Sequence, residues 1–510
     1  MTRSEKYQPT FASSTYNNMK VGIIGAGVAG LASAIRAACQ GHQVSVFEAN
    51  DHPGGKLVEI SLGGYRFDAG PSLFTMPMYV DELFQLAGKD PKAYFSYQRL
   101  STICHYFWED GTFLQAFDDE EAFRKELKEK LHIDPQIVFD RLENSKYKYE
   151  TCGKIFLEKS LHRMDTWTNT TVLQHMLKIP EMDIFSSMNQ VNEQTLKNPK
   201  LVQFFNRFAT YNGSNPYKAP GILNMIPHFE HHIGTYFPKG GMHAITQGLY
   251  RLACDLGVQF HFGQPVQRIE CEGKEAKGLQ LADEFFPCDV VISNVDIWFT
   301  YKKLLPNLPP PTRRLRLEKS TSALIFYWGI ARSFPQLDLH NIFFSEDYKD
   351  EFAHLDKGLI SDDPTIYVNI SQKYEAEDAP EGCENWFTMI NVPYNSGQDW
   401  DAVIQRARKN ILAKLQRMLG VDIEPLIEEE ALLDPRSIER RTSSHLGALY
   451  GTSSNNTFAA FLRHPNFSKQ VRNLYFCGGS VHPGGGIPLC LLSARIISEL
   501  ISKKFSTSKV

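Results

Sequence analysis

The stretch from Val21 to Lys56 constrains the fold more than any other part of the chain. The apolar run VGII leads into Gly25, Gly27 and Gly30 in G-x-G-x-x-G spacing. The helical pattern LASAIRAACQ follows, and then a second apolar run, VSVFE, that ends at Glu48. Strand, glycine turn, helix, strand and acid in that order predict a βαβ unit that binds a dinucleotide. Gly25 permits the sharp turn, Gly27 lets backbone approach a pyrophosphate with no Cβ in the way, and Gly30 packs helix against strand. The free N–H groups at the start of the helix, which opens with Val28 and Ala29, are expected to hold the phosphates. Glu48 stands 18 residues after Gly30, where a carboxylate accepts hydrogen bonds from both hydroxyls of an adenosine ribose and disfavours a 2′-phosphate.

Those residues alone leave NAD and FAD open. The next segment, Ala49-Asn50-Asp51-His52-Pro53-Gly54-Gly55-Lys56, is a second glycine turn carrying a cation. It lies close enough in sequence to fold back over the same pyrophosphate, with Lys56 as a point charge in the cradle. This favours FAD. Beyond it, LVEISLGGYRFDAGPSLFTMP reads as two short strands around Gly63-Gly64, ending in Gly70-Pro71-Ser72. A Gly-Pro break after a strand places backbone at the strand's carboxyl end, where open α/β sheets bind ligands.

At 510 residues the chain is too long for one simple core and is expected to form two intimately connected domains. The net charge of −4 leaves no broad basic excess for nucleic acid. The nine cysteines are odd in number and never paired as C-x-x-C, which argues against a disulfide framework or a zinc site and for a reducing compartment. Residues 1–19 are polar and read as a disordered tail without the apolar core of a secretory signal. No run of 18 apolar residues is present to span a membrane, so only attachment to one face of a bilayer is open.

From about 100 to 235 the pattern is mainly helical. EEAFRKELKEKL spaces Phe123, Leu127 and Leu131 as an amphipathic helix, and helical stretches follow at 155–157, 172–177 and 201–208. The region is rich in Met176, Met182, Phe185, Met188, Met225, Ile226 and Phe229. They suit core packing, an apolar tunnel or a membrane interface. The segment YFPKGGM then opens the helix HAITQGLYRLACDLG, and VQFHFGQPVQRIE reads as strands with Val266 and Arg268 near their centre. CDVVISNVD is a buried strand running into Asn294 and Asp296.

Residues 300–430 alternate as SALIFYWGI, HNIFFS, TIYVNISQ and WFTMINVP, a second sheet suited to walling a large apolar cavity. The cluster Arg313, Arg314, Arg316 and Lys319 reads as a solvated face, with anionic lipid headgroups as the alternative. Near the end, NLYFCGG is a strand closing in glycines, and Gly484-Gly485-Gly486-Ile487-Pro488 precedes the helix LCLLSARIISELI. Consecutive glycines before a helix gather several backbone N–H groups in one concavity, suited to the electron-rich edge of a flavin. No second G-x-G-x-x-G is present, so one dinucleotide is expected and no nicotinamide site.

The set GAGVAG with Glu48, HPGGK, FDAGPS, YFPKGGM, VVISNVD, HNIFFS and CGGSVHPGGGIP resembles the bacterial-type phytoene desaturase family of FAD-dependent carotenoid desaturases and isomerases. Within it, the terminal motif and LLSA look nearest to hydroxycarotenoid 3,4-desaturases. The resemblance implies an α/β fold: a discontinuous Rossmann-type FAD-binding domain with an inserted α+β substrate domain that holds a mixed sheet and a helical membrane-facing part. The FAD domain would take residues 20–100, 235–299 and 435–510, and the substrate domain 101–234 (helical, membrane-facing) and 300–434 (sheet).

By motif match Gly25, Gly27, Gly30 and Glu48 hold the ADP half, Gly55 and Lys56 the pyrophosphate, and Val266 the adenine side through its backbone. Gly70, Pro71, Ser72, Gly479, Ser480, Gly486 and Ile487 approach the flavin; Val28, Ala29, Ala49 and Asn294 complete the cofactor set. Lys56 stands where arginine is frequent in the family. His482 lies near the terminal motif and suits a structural role better than that of proton acceptor.

The implied partners are a carotenoid, a membrane surface, and oxygen or a quinone as electron acceptor, at a cytoplasmic site peripherally attached to the membrane. At about 0.8 kcal/mol per buried CH₂, a substrate of tens of carbons costs on the order of 20 kcal/mol to release into water, so it must come from lipid. Two rivals share the core: a flavin amine or protoporphyrinogen oxidase, and a non-enzymatic prenyl-lipid carrier without redox chemistry.

Overall fold

The computed structural model describes residues 18–506. The tail expected over 1–19 therefore lies outside the described residues up to position 17, and its last residue is not tail. Met19 is buried in the core beside Val21 and Ile35, and its carbonyl accepts the Gln43 N–H at 2.9 Å. An apolar side chain adjoining the first strand gains more from that core than from water.

Five parallel strands form the first sheet, in the order Gln259–His261, Gln43–Phe47, Lys20–Ile24, Val290–Ser293, Leu474–Phe476. Strands from the beginning and the end of the chain thus both flank Val290–Ser293. The helix Val28–Cys39 is buried from Val28 through Ala37, in keeping with a sequence that has no polar face. It packs between the last helix, Ile487–Ser506, and the helix His243–Asp255. Its one buried charge, Arg36, donates to Glu82 at 2.7 Å, and Glu82 also receives Arg495 from the last helix. A carboxylate shared by two guanidinium groups ties three distant segments at one buried point, where removing a single partner would strand charge.

Seven strands form the second sheet, in the order Ile427–Leu433, Ser322–Ile330, Glu384–Val392, Ile366–Ile370, His340–Phe343, Thr102–Phe107, Phe113–Phe117. His340–Phe343 runs parallel to Thr102–Phe107 and the other neighbours are antiparallel, so the sheet is mixed. Alternation along SALIFYWGI sorts its two faces. Leu324, Phe326, Trp328 and Ile330 pack under Trp400, Ala407, Ile411 and Leu415 of the helix Trp400–Leu419. Ala323, Ile325 and Tyr327 face the other way, with Tyr65, Phe67, Phe387 and Leu433. Because both faces are covered, all nine residues of this strand are buried.

Its last two strands add a hairpin to the region 101–234, which reads as mainly helical. Thr102–Phe107 and Phe113–Phe117 form a hairpin across Asp110-Gly111, with the Gly111 N–H donated to the Trp108 carbonyl at 3.0 Å. An Asp-Gly pair between two apolar runs is the hairpin signal that the helical pattern following it obscured. The amphipathic helix does form, as Glu120–Leu131, and buries Phe123 and Leu127. The two short strands around Gly63-Gly64 pair as Glu59–Leu62 with Tyr65–Asp68. Val266, expected in mid-strand, lies instead in the loop between Gln259–His261 and Arg268–Glu272. Among the described residues, no helix is long and apolar enough to cross a membrane.

Candidate active site

The two sheets meet at one cavity. Its wall brings together Gly27, Val28, Ala29, Gly55, Lys56, Gly70, Pro71, Ser72, Asn294, Gly479, Ser480, Gly486 and Ile487 from five separate stretches of sequence. Gly25, Gly30, Glu48, Ala49 and Val266 are not among the lining residues.

Gly25 and Gly30 shape the turn from behind. Gly25 has φ +94°, and a Cβ on Gly30 would stand 2.1 Å from the Gly25 carbonyl oxygen, so only glycine fits there. The second glycine turn does fold over the first: the Gly54 N–H donates to the Ala26 carbonyl at 2.9 Å. A Cβ on Gly55 would lie 3.2 Å from the Gly27 Cα. Asn294 caps the pair; with its amide oxygen turned toward the donors, it accepts the N–H groups of Gly27 and Gly30 at 3.3 Å each. Val28 and Ala29 begin the helix, and the first N–H groups of a helix have no intrahelical acceptor.

Glu48 is buried and braces this turn. Its Oε2 accepts the Ala26 N–H at 2.7 Å, and its Oε1 accepts from the Asn50 N–H and Nδ2 at 3.0 and 2.8 Å. A carboxylate has about four acceptor sites, so Oε2 keeps capacity for a further hydroxyl. Ala49 is exposed beside it. The loop carrying Val266 is fastened to the same place, with the Gln264 N–H on the Glu48 carbonyl at 2.9 Å, while the Val266 side chain packs near Ile24 and Phe47.

Lys56 lines the cavity beside Gly55. Its Nζ donates to the Leu449 carbonyl at 2.7 Å, which ties the second glycine turn to the segment before Tyr450. Burial lowers the Lys56 ammonium pKa, opposed by the nearby Asp296 carboxylate, whose own pKa burial raises.

The terminal motif closes the same end. The Gly478 N–H donates to Ser493 Oγ at 2.9 Å, and Ser480 Oγ accepts the Ile297 N–H at 2.9 Å. Gly486, at φ +109°, turns the chain into the last helix, whose first residues line the cavity. His482 is buried outside that lining and joins the Lys159 carbonyl through Nε2 at 2.8 Å. Burial lowers its pKa to about 3.

From this end the cavity extends over the second sheet, on Ala323, Ile325, Phe387, Met389 and Ile342. Four inter-strand steps separate Ser322–Ile330 from Thr102–Phe107, about 19 Å at ordinary strand spacing. Two hydrogen-bonded polar groups stand on this wall. Arg207 and Glu230 form a buried ion pair, Nη1 to Oε1 at 3.2 Å and Nη2 to Oε2, and Nη2 also meets the Tyr106 hydroxyl. The guanidinium lies 4.1 Å from the centre of the Phe208 ring. The Tyr367 hydroxyl sits between Ser72 Oγ at 2.9 Å and His340 Nδ1 at 2.8 Å. Sequence reasoning missed Arg207, Glu230, Tyr367 and His340. They come from remote segments with no shared spacing, and the only hint was the expected cavity wall at HNIFFS and TIYVNISQ.

A parallel sheet whose glycine turns converge on one cleft, joined to an enclosed apolar chamber, defines an FAD-dependent oxidoreductase. The chain matches the family described as flavin containing amine oxidoreductase over residues 28–502. It is 52% identical over 480 residues to the 1-hydroxycarotenoid 3,4-desaturase of Flavobacterium sp. (strain P99-3), covering 94% of this chain and 98% of that one. It is 33% identical to the 4,4'-diapolycopene oxygenase of Methylomonas sp, covering 95% and 98%. Among solved structures, an oxidoreductase from Methanosarcina mazei shares the fold with a TM-score of 0.60 at 16% identity, covering 94% of this chain and 100% of that one. The chain belongs to the flavin-containing amine oxidoreductase family, and its cofactor is FAD.

Proposed function

We propose that this protein is a carotenoid desaturase that removes hydrogens from adjacent carbons of an acyclic or monocyclic carotenoid end, acting as a hydroxycarotenoid 3,4-desaturase. The observation that carries this reading is the continuity of the glycine cradle with an apolar chamber in a single cavity. The relative at 52% identity supports the substrate class. Desaturation takes a hydride and a proton from neighbouring carbons and leaves one more double bond.

Bound FAD supplies the hydride acceptor; the protein supplies orientation, exclusion of water and electrostatics. The residues present fit that cofactor. The cradle between Gly27 and Gly55 is one that side chains would fill, and the N–H groups of Val28 and Ala29 stand at a helix start on the cavity wall. In this reading Gly25, Gly27, Gly30 and Glu48 hold the ADP half and Gly55 the pyrophosphate. Gly70, Pro71, Ser72, Gly479, Ser480, Gly486 and Ile487 bound the flavin. Lys56 fixes the loop around it. FAD binding is assigned to 20–100, 235–299 and 435–510, and substrate binding to 101–234 together with 300–434.

Oxygen or a membrane quinone is proposed as the electron acceptor, since the chain carries one glycine fingerprint. Peripheral attachment to the cytoplasmic face of a membrane is proposed for the helical part. There Met164, Leu177 and Phe185 stand 78%, 82% and 84% exposed, while neighbouring Met182 and Met188 are core residues.

The test is expression in hosts that accumulate different carotenes, with the pigments identified and the purified protein sedimented with liposomes. New double bonds at a hydroxylated end and a yellow, liposome-bound protein are expected. Oxidation of soluble amines or porphyrins with no change in any carotenoid would overturn the assignment. A protein that never sediments with vesicles would overturn the attachment.

A further inference from the structure

We infer that Tyr367, held between Ser72 and His340, is the part of the chamber that reads a hydroxyl group on the end of the polyene and so sets which carbon–carbon bond is oxidised. The inference rests on the desaturase reading above and names what selects the substrate within it. A polar group in an apolar wall is costly unless it is hydrogen-bonded. Two hydrogen-bonded groups on the chamber wall differ in this respect.

The Arg207–Glu230 pair is matched in charge: both carboxylate oxygens of Glu230 meet guanidinium nitrogens, and Tyr106 takes up a further donor. Arg207 Nε is left without a protein partner, so what this pair has to spare is a donor on a cation. The Tyr367 group is open. His340 Nδ1 faces two donors, the Tyr367 hydroxyl at 2.8 Å and Asn369 Nδ2 at 3.2 Å. Asn369 is oriented by a second bond from Nδ2 to the Leu339 carbonyl at 3.0 Å. Nδ1 therefore carries the lone pair, and the proton of the neutral ring sits on Nε2. Burial, with Arg207 nearby, lowers the His340 pKa to about 3, which keeps the ring neutral.

Tyr367 then donates to His340, and its oxygen is left as an acceptor that Ser72 or a ligand can use. Ser72 and Tyr367 are both only partly buried and both line the cavity. His340 also lines it, is 3% exposed, and has an Nε2 with no protein partner. The Tyr367 oxygen thus offers an acceptor to the cavity, and the Ser72 hydroxyl can turn its proton from Tyr367 to a ligand; together they complement a hydroxyl, which both donates and accepts. A hydrocarbon end would use neither.

The position agrees. Ser72 belongs to the Gly70-Pro71-Ser72 loop at the cofactor end of the cavity. In a 1-hydroxy polyene only a few bonds separate the oxygen from the 3,4 bond, so a group that reads this hydroxyl has to stand beside the cofactor.

The test uses purified holoenzyme and a matched pair of acyclic polyenes, one with the terminal hydroxyl and one without. The wild-type protein is expected to prefer the hydroxylated member in kcat/KM. Tyr367→Phe keeps the ring and removes the hydroxyl; it should lower that preference about tenfold, mainly through KM. His340→Phe should act in the same direction, and the double variant should lose little more than either single one, because the two work through one hydrogen-bonded pair. Flavin absorbance per protein checks that each variant is folded and loaded, and polyene binding by absorbance shift gives the same comparison without turnover. Equal use of both polyenes by the wild type, or a preference unchanged within about twofold in loaded variants, overturns the inference. A wild-type protein that converts neither polyene overturns the desaturase reading itself.

Discussion

The central strands of the two largest sheets are buried on both faces, yet the two sheets are built to do different things. The parallel sheet presents backbone to the cavity: glycine turns, a helix start and the carboxyl ends of strands. The mixed sheet presents side chains, with Ile325, Phe387, Met389 and Tyr367 on its cavity face. A backbone site depends on a few positions where any added atom collides. A side-chain site tolerates substitution in proportion to volume and polarity. The first suits a ligand that does not vary, and the second one whose length and end group can.

That contrast can be broken most directly at Gly70. A Cβ there would stand 1.8 Å from the Lys56 carbonyl oxygen, so Gly70→Ala should force the loop off the cradle and cost at least about tenfold in FAD retention, read as flavin absorbance per protein. Full retention would show the cradle to be as tolerant as the opposite wall.

Neighbouring residues of one strand sharpen the comparison inside the mixed sheet. Leu324→Ala empties the packed face under Trp400–Leu419 and should cost about 2–5 kcal/mol in denaturant unfolding. Ile325→Ala faces the cavity, where space already exists, and should cost less than half as much while changing the range of polyenes accepted. Equal losses would mean that the chamber is packed solid.

An acid effect, small per pH unit, bears on both regions. His482 near the parallel sheet and His340 in the mixed one both have pKa values lowered by burial from 6.5 to about 3. As pH falls below 6.5 the unfolded chain takes up these protons before the folded one does. Stability should therefore drop between pH 6.5 and 3, by up to about 1.4 kcal/mol per pH unit for each histidine. His482→Gln and His340→Phe should each flatten the slope of unfolding free energy against pH. A slope unchanged in one variant would mark that histidine as charged in the folded protein.

Much of the parallel sheet was legible from Val21 to Lys56 because a phosphate cradle needs its glycines and its helix start within one short stretch. The overlay of Gly54-Gly55 on Gly27 followed from the same closeness. The reading was weaker wherever contacts are distant. The hairpin at Asp110-Gly111 was hidden by the long helical pattern that follows it, and Val266 was put in a strand because apolar alternation around it imitates one. The Lys56 cation could be placed near the glycine turns, but not on the Leu449 carbonyl, almost four hundred residues away.

By itself the sequence determined that a dinucleotide binds and that its two glycine turns fold against each other, since those turns are made of consecutive residues with distinctive backbone freedom. Only the tertiary structure decided what else shares the cavity. Ser72, Tyr367, His340 and Asn369 carry no common spacing, and they meet because strand pairing and the burial of two sheet faces bring them together. Those long-range contacts are set by the packing of many side chains at once, which no local pattern records.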